Sequence, residues 1–557
     1  MRPVKTPPVQ YDTFKLAGGL DLVTPTLSLA PGVARDAMNF EVSVTGGYTR
    51  VAGYERFDGR PLASLATYSV LTLSSTSGVT IGATVQNLGG TVTGIVLGVE
   101  GAYVYYTKAV GAFAVSDTVY VGATPIGTVT SLIPPDPSPY AIAKYTVAAQ
   151  DVYRTDIGAV PGSGPIRGLI MLGGVLHAFR DNAGGTAGAI YKSSGSGWTA
   201  VALGYELGFN TGTGTAIAEG DSISNLAGTA TGVVARVALQ SGSTWASGSG
   251  RLILSSVTGT WAASDQIRVG GVQRATATGA ATAITRSPGG RVEMMTSNFG
   301  GSLGKQRAYG ADGVNRGFEF DGTTYAPIST GMTTDTPLHV NVHKDYLFFS
   351  FGYSVQYSAL GLPFVWSVVL GAGEIVLPES VTAFKTLPGS DSTGAQAIFT
   401  VGNTFMLYGS SPADWKLVLY DNGTGAFANT AQSITDTYVL DDRGVISLAT
   451  TLNFGNFDSS TLTFPLRPFV QARRGMATAS AVNREKSQYR VFYSDGFGLY
   501  LTIVNGKMRG AMPVFFPVPV NCWTEGVLAA GAEVSYFGST TGGYVYALDS
   551  GRDFDGT

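Results

Sequence analysis

The sequence predicts an all-β protein, a β-propeller framework carrying two inserted small β-modules of one fold. Three observations lead there. Short β-forming runs alternate with turn dipeptides along most of the chain. Hairpins and meanders recur every roughly 40 to 60 residues without long crossovers, the spacing that blades of about four strands require. One stretch of sequence also occurs twice.

Composition narrows the possibilities. A chain of 557 residues exceeds one ordinary core. It contains 76 glycines and 11% aromatics, with only 13% charged residues, about half the usual share. That balance suits tight turns and strands. A net charge of −3 argues against a surface that works by neutralising phosphates. The single cysteine, Cys522, excludes an intrachain disulfide framework and a Cys-based metal site. The opening MRPVKTPPVQ lacks the apolar core of an export signal, and no apolar run approaches the ~18 residues of a membrane helix. The expectation is a soluble protein made without export and without a membrane anchor.

Residues 1–57 read as an N-terminal arm and the first framework strands. Pro3, Pro7 and Pro8 favour an extended arm over Met1 to Gln10. Pro31 fits the first turn of a short helix ending near Asn39, with Val33 and Ala37 on one face. Strands flank Gly46-Gly47, and no other helix is expected beyond brief ones in the loops.

The repeat follows. GATVQNLGGTVTGIV (82–96) aligns without gaps on GDSISNLAGTATGVV (220–234), and GAFAVSDTVYVG (111–122) aligns on GTWAASDQIRVG (259–270). The offset grows by ten residues between the two blocks, which places an insertion in a loop of the later copy. Two copies of one module, at 79–131 and 217–279, are therefore expected to project from the framework. A duplicated decoration suits a binding or spacer surface better than a catalytic site.

The remaining segments, 140–205 and 290–557, read as framework blades. In the first, Gly173-Gly174 and Gly184-Gly185 mark turns. The run from Lys305 to Trp366 organises the second. Asp312-Gly313 and Asp321-Gly322 are turn dipeptides. Val340 and Val342 alternate with His339, Asn341 and His343, and the polar pair Lys344-Asp345 precedes an aromatic strand from Tyr346 to Phe351. Further hairpins turn at Gly402-Asn403, Asp442 to Gly444, Asp495-Gly496 and Asn505-Gly506.

Candidate chemistry is sparse. His339 and His343 resemble paired metal ligands, but residues four apart on a strand stand about 13 Å from each other. Asp553 and Asp555 echo the start of a calcium loop, whose closing Glu has no counterpart before Thr557. SSGSGW (193–198) resembles the Asp-box hairpin of sialidase propellers without its aspartate. Asn422-Gly-Thr424 is a formal glycosylation sequon. Asp441-Asp442 is an acidic pair that reads more simply as a turn. No catalytic, metal or cofactor-binding residue is assigned, and an enzyme is not expected.

Several phrases together carry a family resemblance. They are GGLD…LAPGVARDAMNFE…GGYTRVAGYER (18–56), GADGVNRGFEFDGTTYAPI (310–328), and PLHVNVHKDYLFF with VQYSALGLPFVWS (337–367). IFTVGNTFMLYGSSPADWKL (398–417), YVLDDRGVISLA (438–449) and YFGSTTGGYVYALDSG (536–551) continue the series. In combination the chain resembles the tail nozzle or hub of short-tailed bacteriophages (podoviruses), also called tail tubular protein B. The resemblance implies a β-propeller structural protein in the virion tail, made in the host cytoplasm and assembled as a homo-oligomeric ring of six. Its partners would be the tail adaptor ring above and the tail fibres, spikes or needle. Double-stranded DNA would pass through without sequence-specific binding, held back until ejection by a gate whose residues the sequence does not identify. Members of that family often continue for further strands beyond the equivalent of Tyr544 to Gly551, and the sequence leaves open whether a C-terminal portion follows Thr557. The competing readings are a receptor- or glycan-binding propeller of the tail, which needs carboxylates and aromatics clustered on one face, and a surface adhesin, which needs an anchor.

Overall fold

The computed structural model describes residues 16–133, 139–242, 244–246, 248–299, 305–387, 394–448, 461–528 and 531–557. Seven antiparallel sheets form a seven-bladed propeller. Blade I comprises Ser163–Leu172, Val175–Asp181, Gly188–Lys192 and Thr199–Ala200. Blade II comprises Glu293–Ser297, Arg307–Ala311, Phe318–Phe320 and Tyr325–Pro327. Blade III comprises Val340–His343, Tyr346–Phe351, Ser354–Tyr357 and Gly373–Val376. Blade IV comprises Val381–Thr386, Gln396–Thr400, Asn403–Tyr408 and Lys416–Asn422. Blade V has Gln432–Ser433, Thr437–Leu440 and Val445–Ser447. Blade VI has Ala477–Asn483, Gln488–Tyr493, Phe497–Val504 and Lys507–Phe515, with Gly18–Gly19 added in parallel at its edge. Blade VII joins Val520–Val527, Glu533–Ser539 and Val545–Leu548 to Tyr54–Phe57 from the other end of the chain.

Strand periodicity explains why these sheets stack as a ring. Successive side chains on a strand point to opposite faces, and here the two faces meet different neighbours. Phe348 packs toward blade IV and Phe349 toward blade II. Ile398 and Phe399 divide between blades III and V, Tyr438 and Val439 between VI and IV, and Val491 and Phe492 between V and VII. Middle strands such as Gln396–Thr400 and Gln488–Tyr493 are therefore buried along their whole length. Lys344 and Asp345 both adopt positive φ (51° and 59°), which gives the tight hairpin that the sequence suggests between the first two strands of blade III.

The ring closes where Tyr54–Phe57 pairs antiparallel with Val545–Leu548. Tyr54 is fully buried, and the rings of Tyr546, Phe516, Phe537 and Phe554 surround it at 5.0 to 5.2 Å. The opposite edge of the same strand meets the last residues of the chain: Tyr54 N donates to Asp553 O (3.1 Å) and Asp555 N donates to Tyr54 O (2.9 Å). Asp555 also pairs with Arg56 at 2.7 Å.

Two expectations about helices fail. No helix forms over 31–39. Gly32 takes φ 90°, and Ala34 N donates to Gly19 O (2.9 Å) in an isolated parallel bridge with Leu20. The extended alternative satisfies backbone groups against blade VI, which an isolated turn of helix would not do. The long helix lies instead at Pro139–Asp156, inside the 140–205 segment read as framework. Proline at its first position costs no hydrogen bond, and Tyr145 and Ala149 form its buried face.

The two modules are closed six-stranded barrels with the same strand order. Barrel A consists of Tyr68–Leu73, Thr84–Gln86, Thr93–Glu100, Tyr103–Val110, Thr118–Val121 and Thr124–Ser131. Barrel B consists of Tyr205–Asn210, Ser222–Ser224, Thr231–Ser241, Ser249–Thr258, Gln266–Val269 and Val272–Ala277. In each, the first strand pairs with the fourth and sixth, which closes the sheet. Each barrel thus begins one strand before the repeat that reveals it. Several matched residues meet demands of the backbone. Asn87 and Asn225 both donate Nδ2 to a threonine hydroxyl four residues on, at 2.9 and 3.1 Å. Ser116 and Ser264 both hold positive φ (77° and 70°), and Asp117 and Asp265 accept the N–H three residues earlier at 2.7 and 2.9 Å. The extra residues of the second copy fall in the hairpin between Thr231–Ser241 and Ser249–Thr258.

Both barrels dock through the face built by their first, fourth and third strands, against different surfaces. Barrel A rests on the helix: Tyr105 stacks on Tyr145 at 3.6 Å, and Glu100 accepts from Tyr145 Oη at 2.6 Å. Barrel B rests on blade II. Ile253 joins the blade core, Arg236 pairs with Glu319 at 2.6 Å, and Arg316 pairs with Glu206 at 2.9 Å.

Because Tyr54 fills the closure site with a large buried ring, Tyr54→Ala should destabilise the protein by about 3–5 kcal/mol. Tyr353→Ala, at a side chain that is 58% exposed, should change stability by under about 0.5 kcal/mol. Urea unfolding of the two variants checks this; equal midpoints would contradict it.

Candidate functional site

The first strands of the blades converge on a central channel with a volume of about 960 Å³. Leu169, Met294, Val340, Phe384, Gln432, Ser480 and Trp523 contribute one position each from blades I to VII. The lining run Cys522–Val527 spans about 20 Å at roughly 3.3 Å per residue, so this volume, with the radius of a water molecule added at each wall, corresponds to a mean width of about 11 Å.

Among the described residues four charged side chains line the channel: Arg291, Glu293, Lys385 and Glu525. The carboxylates are engaged at their backs. Glu293 meets His339 Nδ1 at 2.8 Å, and Glu525 meets Arg484 at 3.1 Å. The cations are not matched in the same way. Among the described residues Lys385 Nζ reaches only Gln432 Oε1, at 3.4 Å, and Arg291 Nε donates to Asn521 O at 3.0 Å. Among the described residues neither has a carboxylate within ion-pairing distance. Burial lowers the pKa of Lys385, against the opposing pull of Glu525 and Glu293 across the channel. Arg291 is half-exposed to the channel yet ringed by protein, and burial likewise lowers its pKa. Cys522 is 2% exposed and burial pushes its thiol up to about 12, so it is no nucleophile near neutral pH.

The residues singled out by motif do not assemble into a site. His339 serves Glu293, whereas His343 is buried and its pKa falls to about 4 through burial. Asp441 caps its turn by accepting Arg443 N (2.8 Å) and Gly444 N (3.1 Å), while Asp442 lies exposed beyond it. Asp553 accepts Gly556 N at 2.7 Å and Asp555 serves Arg56, so the two do not share a ligand. In SSGSGW, Ser194 Oγ donates to Gly197 O (2.7 Å) and Trp198 Nε1 donates to Gly158 O (3.2 Å), which is a packed turn. Thr424 of the sequon is fully buried. Among the described residues no group of three or more His, Cys, Asp or Glu is placed to hold a metal ion, and no helix is long and apolar enough to cross a membrane. Sequence reasoning missed Arg291 and Lys385, because nothing local distinguishes a strand lysine that faces a channel from one that faces solvent.

No family model matches the chain, and no curated protein matches it. Among solved structures it is similar to BBS1N in complex with ARL6DN, with 13% identity over 47% of this chain and 93% of the other, at a TM-score of 0.28. It is also similar to U3-55K, with 11% identity over 61% of this chain and 98% of the other, at a TM-score of 0.33. The class defined by the blades themselves is a seven-bladed β-propeller bearing two copies of one barrel.

A base whose folded pKa lies below its unfolded value of about 10.4 is a penalty wherever it is charged in both states. Stability then rises with pH between the two values. Lys385→Met should therefore raise the melting temperature near pH 7 in anion-free buffer, and the gain should shrink as pH approaches 10.4. Calorimetric scans from pH 7 to 10.5 check this; a variant melting below wild type at pH 7 would contradict it.

Proposed function

We propose that the protein is a non-enzymatic ring component of a short-tailed phage tail, the nozzle or hub that extends the DNA channel, retains packaged DNA and opens for ejection. The observation that carries this reading is where the resembling phrases lie. They fall in blades II to V and VII, the strand Tyr54–Phe57 that closes the ring, and the Gly18–Gly19 edge of blade VI; none lies in a barrel. The resemblance is thus a property of the framework, and the barrels are additions to it.

Dimensions support the same reading. A duplex whose major groove alone is about 12 Å wide does not fit a channel averaging about 11 Å, so the propeller is not itself the conduit. A passage for DNA must be enclosed between copies. A closed ring needs one heterologous contact repeated around an axis, so each subunit uses two different surfaces. Its lumen should be neutral to acidic, because each neutralised phosphate releases counterions and adds affinity that would impede sliding. Loops from several blades would form the gate, opening by movement without bond cleavage. The ring would sit below the adaptor ring and above the fibres, spikes or needle, with six copies by resemblance.

Native mass spectrometry and electron microscopy of the purified protein test this. The expected result is a closed ring of six copies with a lumen free of Lys/Arg clusters. A monomer at every concentration, a strongly basic lumen, or hydrolysis of a host glycan would overturn it.

A further inference from the structure

The geometry points to the propeller's central channel as a binding site for an amphipathic organic anion, with Lys385 and Arg291 as its charge contacts. The inference rests on the channel alone and is independent of any role in a tail.

Charge accounting within the channel leads there. Blade II and the segment entering it supply Arg291 and Glu293, blade IV supplies Lys385, and blade VII supplies Glu525. Both carboxylates already have other partners, Glu293 the His339 imidazole and Glu525 the Arg484 guanidinium. Lys385 carries three donors and spends one, on an amide oxygen 3.4 Å away. Arg291 carries five donors and spends Nε on Asn521 O. The neighbouring amides do not compensate. Gln432 Nε2 donates to Ser480 Oγ at 3.1 Å, and Asn341 Nδ2 donates to Thr386 Oγ1 at 3.0 Å. Two cations are thus held partly out of water with unused donors facing a cavity, a condition that a bound anion relieves.

The rest of the lining specifies the body of the ligand. Met171, Met294, Met295 and Trp523 are half-buried beside the charged positions. Thioethers and an indole adapt to alkyl or flat organic groups, whereas a fully hydrated inorganic ion gains nothing from them. The volume of about 960 Å³ is at the upper end of small-molecule sites. The ligand class is therefore a phosphate or carboxylate head on an apolar body.

Isothermal titration of the full chain with hexyl phosphate, inorganic phosphate and hexanol separates the two requirements. Hexyl phosphate should bind at least about tenfold tighter than either part, and it should shift Trp523 emission. Lys385→Met should weaken it by about tenfold or more, the loss of one charge-assisted hydrogen bond, and Arg291→Gln should act in the same direction. Lys305→Met, at a side chain 75% exposed outside the channel, should leave the affinity unchanged. The inference is overturned if hexyl phosphate gives no heat, if hexanol binds as tightly, or if Lys385→Met binds like wild type. The hexanol comparison needs no variant, so it holds even if a substitution prevents folding.

Discussion

The pairing of Tyr54–Phe57 with Val545–Leu548 is the interaction on which the rest of the molecule depends. It joins residues almost a whole chain apart, and the entropy of closing so long a loop grows only slowly with its length. Once made, it turns an open stack of sheets into a ring in which every blade has two neighbours. Without it, blade VII would lose its outer strand, and the core it shares with blade I through Leu169, Ala178, Tyr536 and Val545 would lie at a free end. A buried ion cluster braces the same region. Arg490 of blade VI, 1% exposed at its side chain, pairs with Asp549 at 2.6 Å, and Lys486 reaches both Glu41 (2.8 Å) and Asp549 (3.1 Å). Such a cluster adds little net stability over an apolar core, but losing one member leaves a charge stranded. It links the N-terminal strand that carries Glu41 to the last two blades.

The barrels show how one module is reused. The docking face is the same in both copies, but its chemistry has diverged. Tyr105, against the helix, corresponds to Ile253 in the core of blade II, and Val70 corresponds in register to Glu206, which holds Arg316. The interior kept its pattern: Val85, Val96 and Val119 in barrel A match Ile223, Val234 and Ile267 in barrel B, all buried. A closed barrel tolerates such change on its outer face because its stability comes from inside.

What could be read from sequence follows from what is local. The turns at Asn505-Gly506 and Gly173-Gly174 need positive φ, and residue type alone reveals that, whereas Lys344 takes positive φ with no such signal in its side chain. The repeat was legible because Asn87, Ser116 and Asp117 recur as Asn225, Ser264 and Asp265, positions whose backbone admits few substitutes. The first strand of each barrel, YSVLTL and YELGFN, has no such constraint and so escaped the alignment. The helix Pro139–Asp156 was hidden by alanines that carry little hydrophobic contrast, although Tyr145, Ala149 and Val152 have its spacing. The false helix over 31–39 was overridden by tertiary pairing with Gly19 and Leu20. The cations of the channel were invisible because they gather from blades II and IV, about ninety residues apart in the chain.

A propeller whose own channel is too narrow for a duplex can serve DNA passage only as part of a larger ring, so position in an assembly is the central claim. Cryo-electron microscopy of the intact particle tests it most directly, since it shows location and stoichiometry together. The expected density is this propeller repeated around the tail axis, with duplex DNA on that axis between the copies and none within any single propeller. Finding the chain at the tip of a fibre, or off the axis with no DNA enclosed, would contradict it.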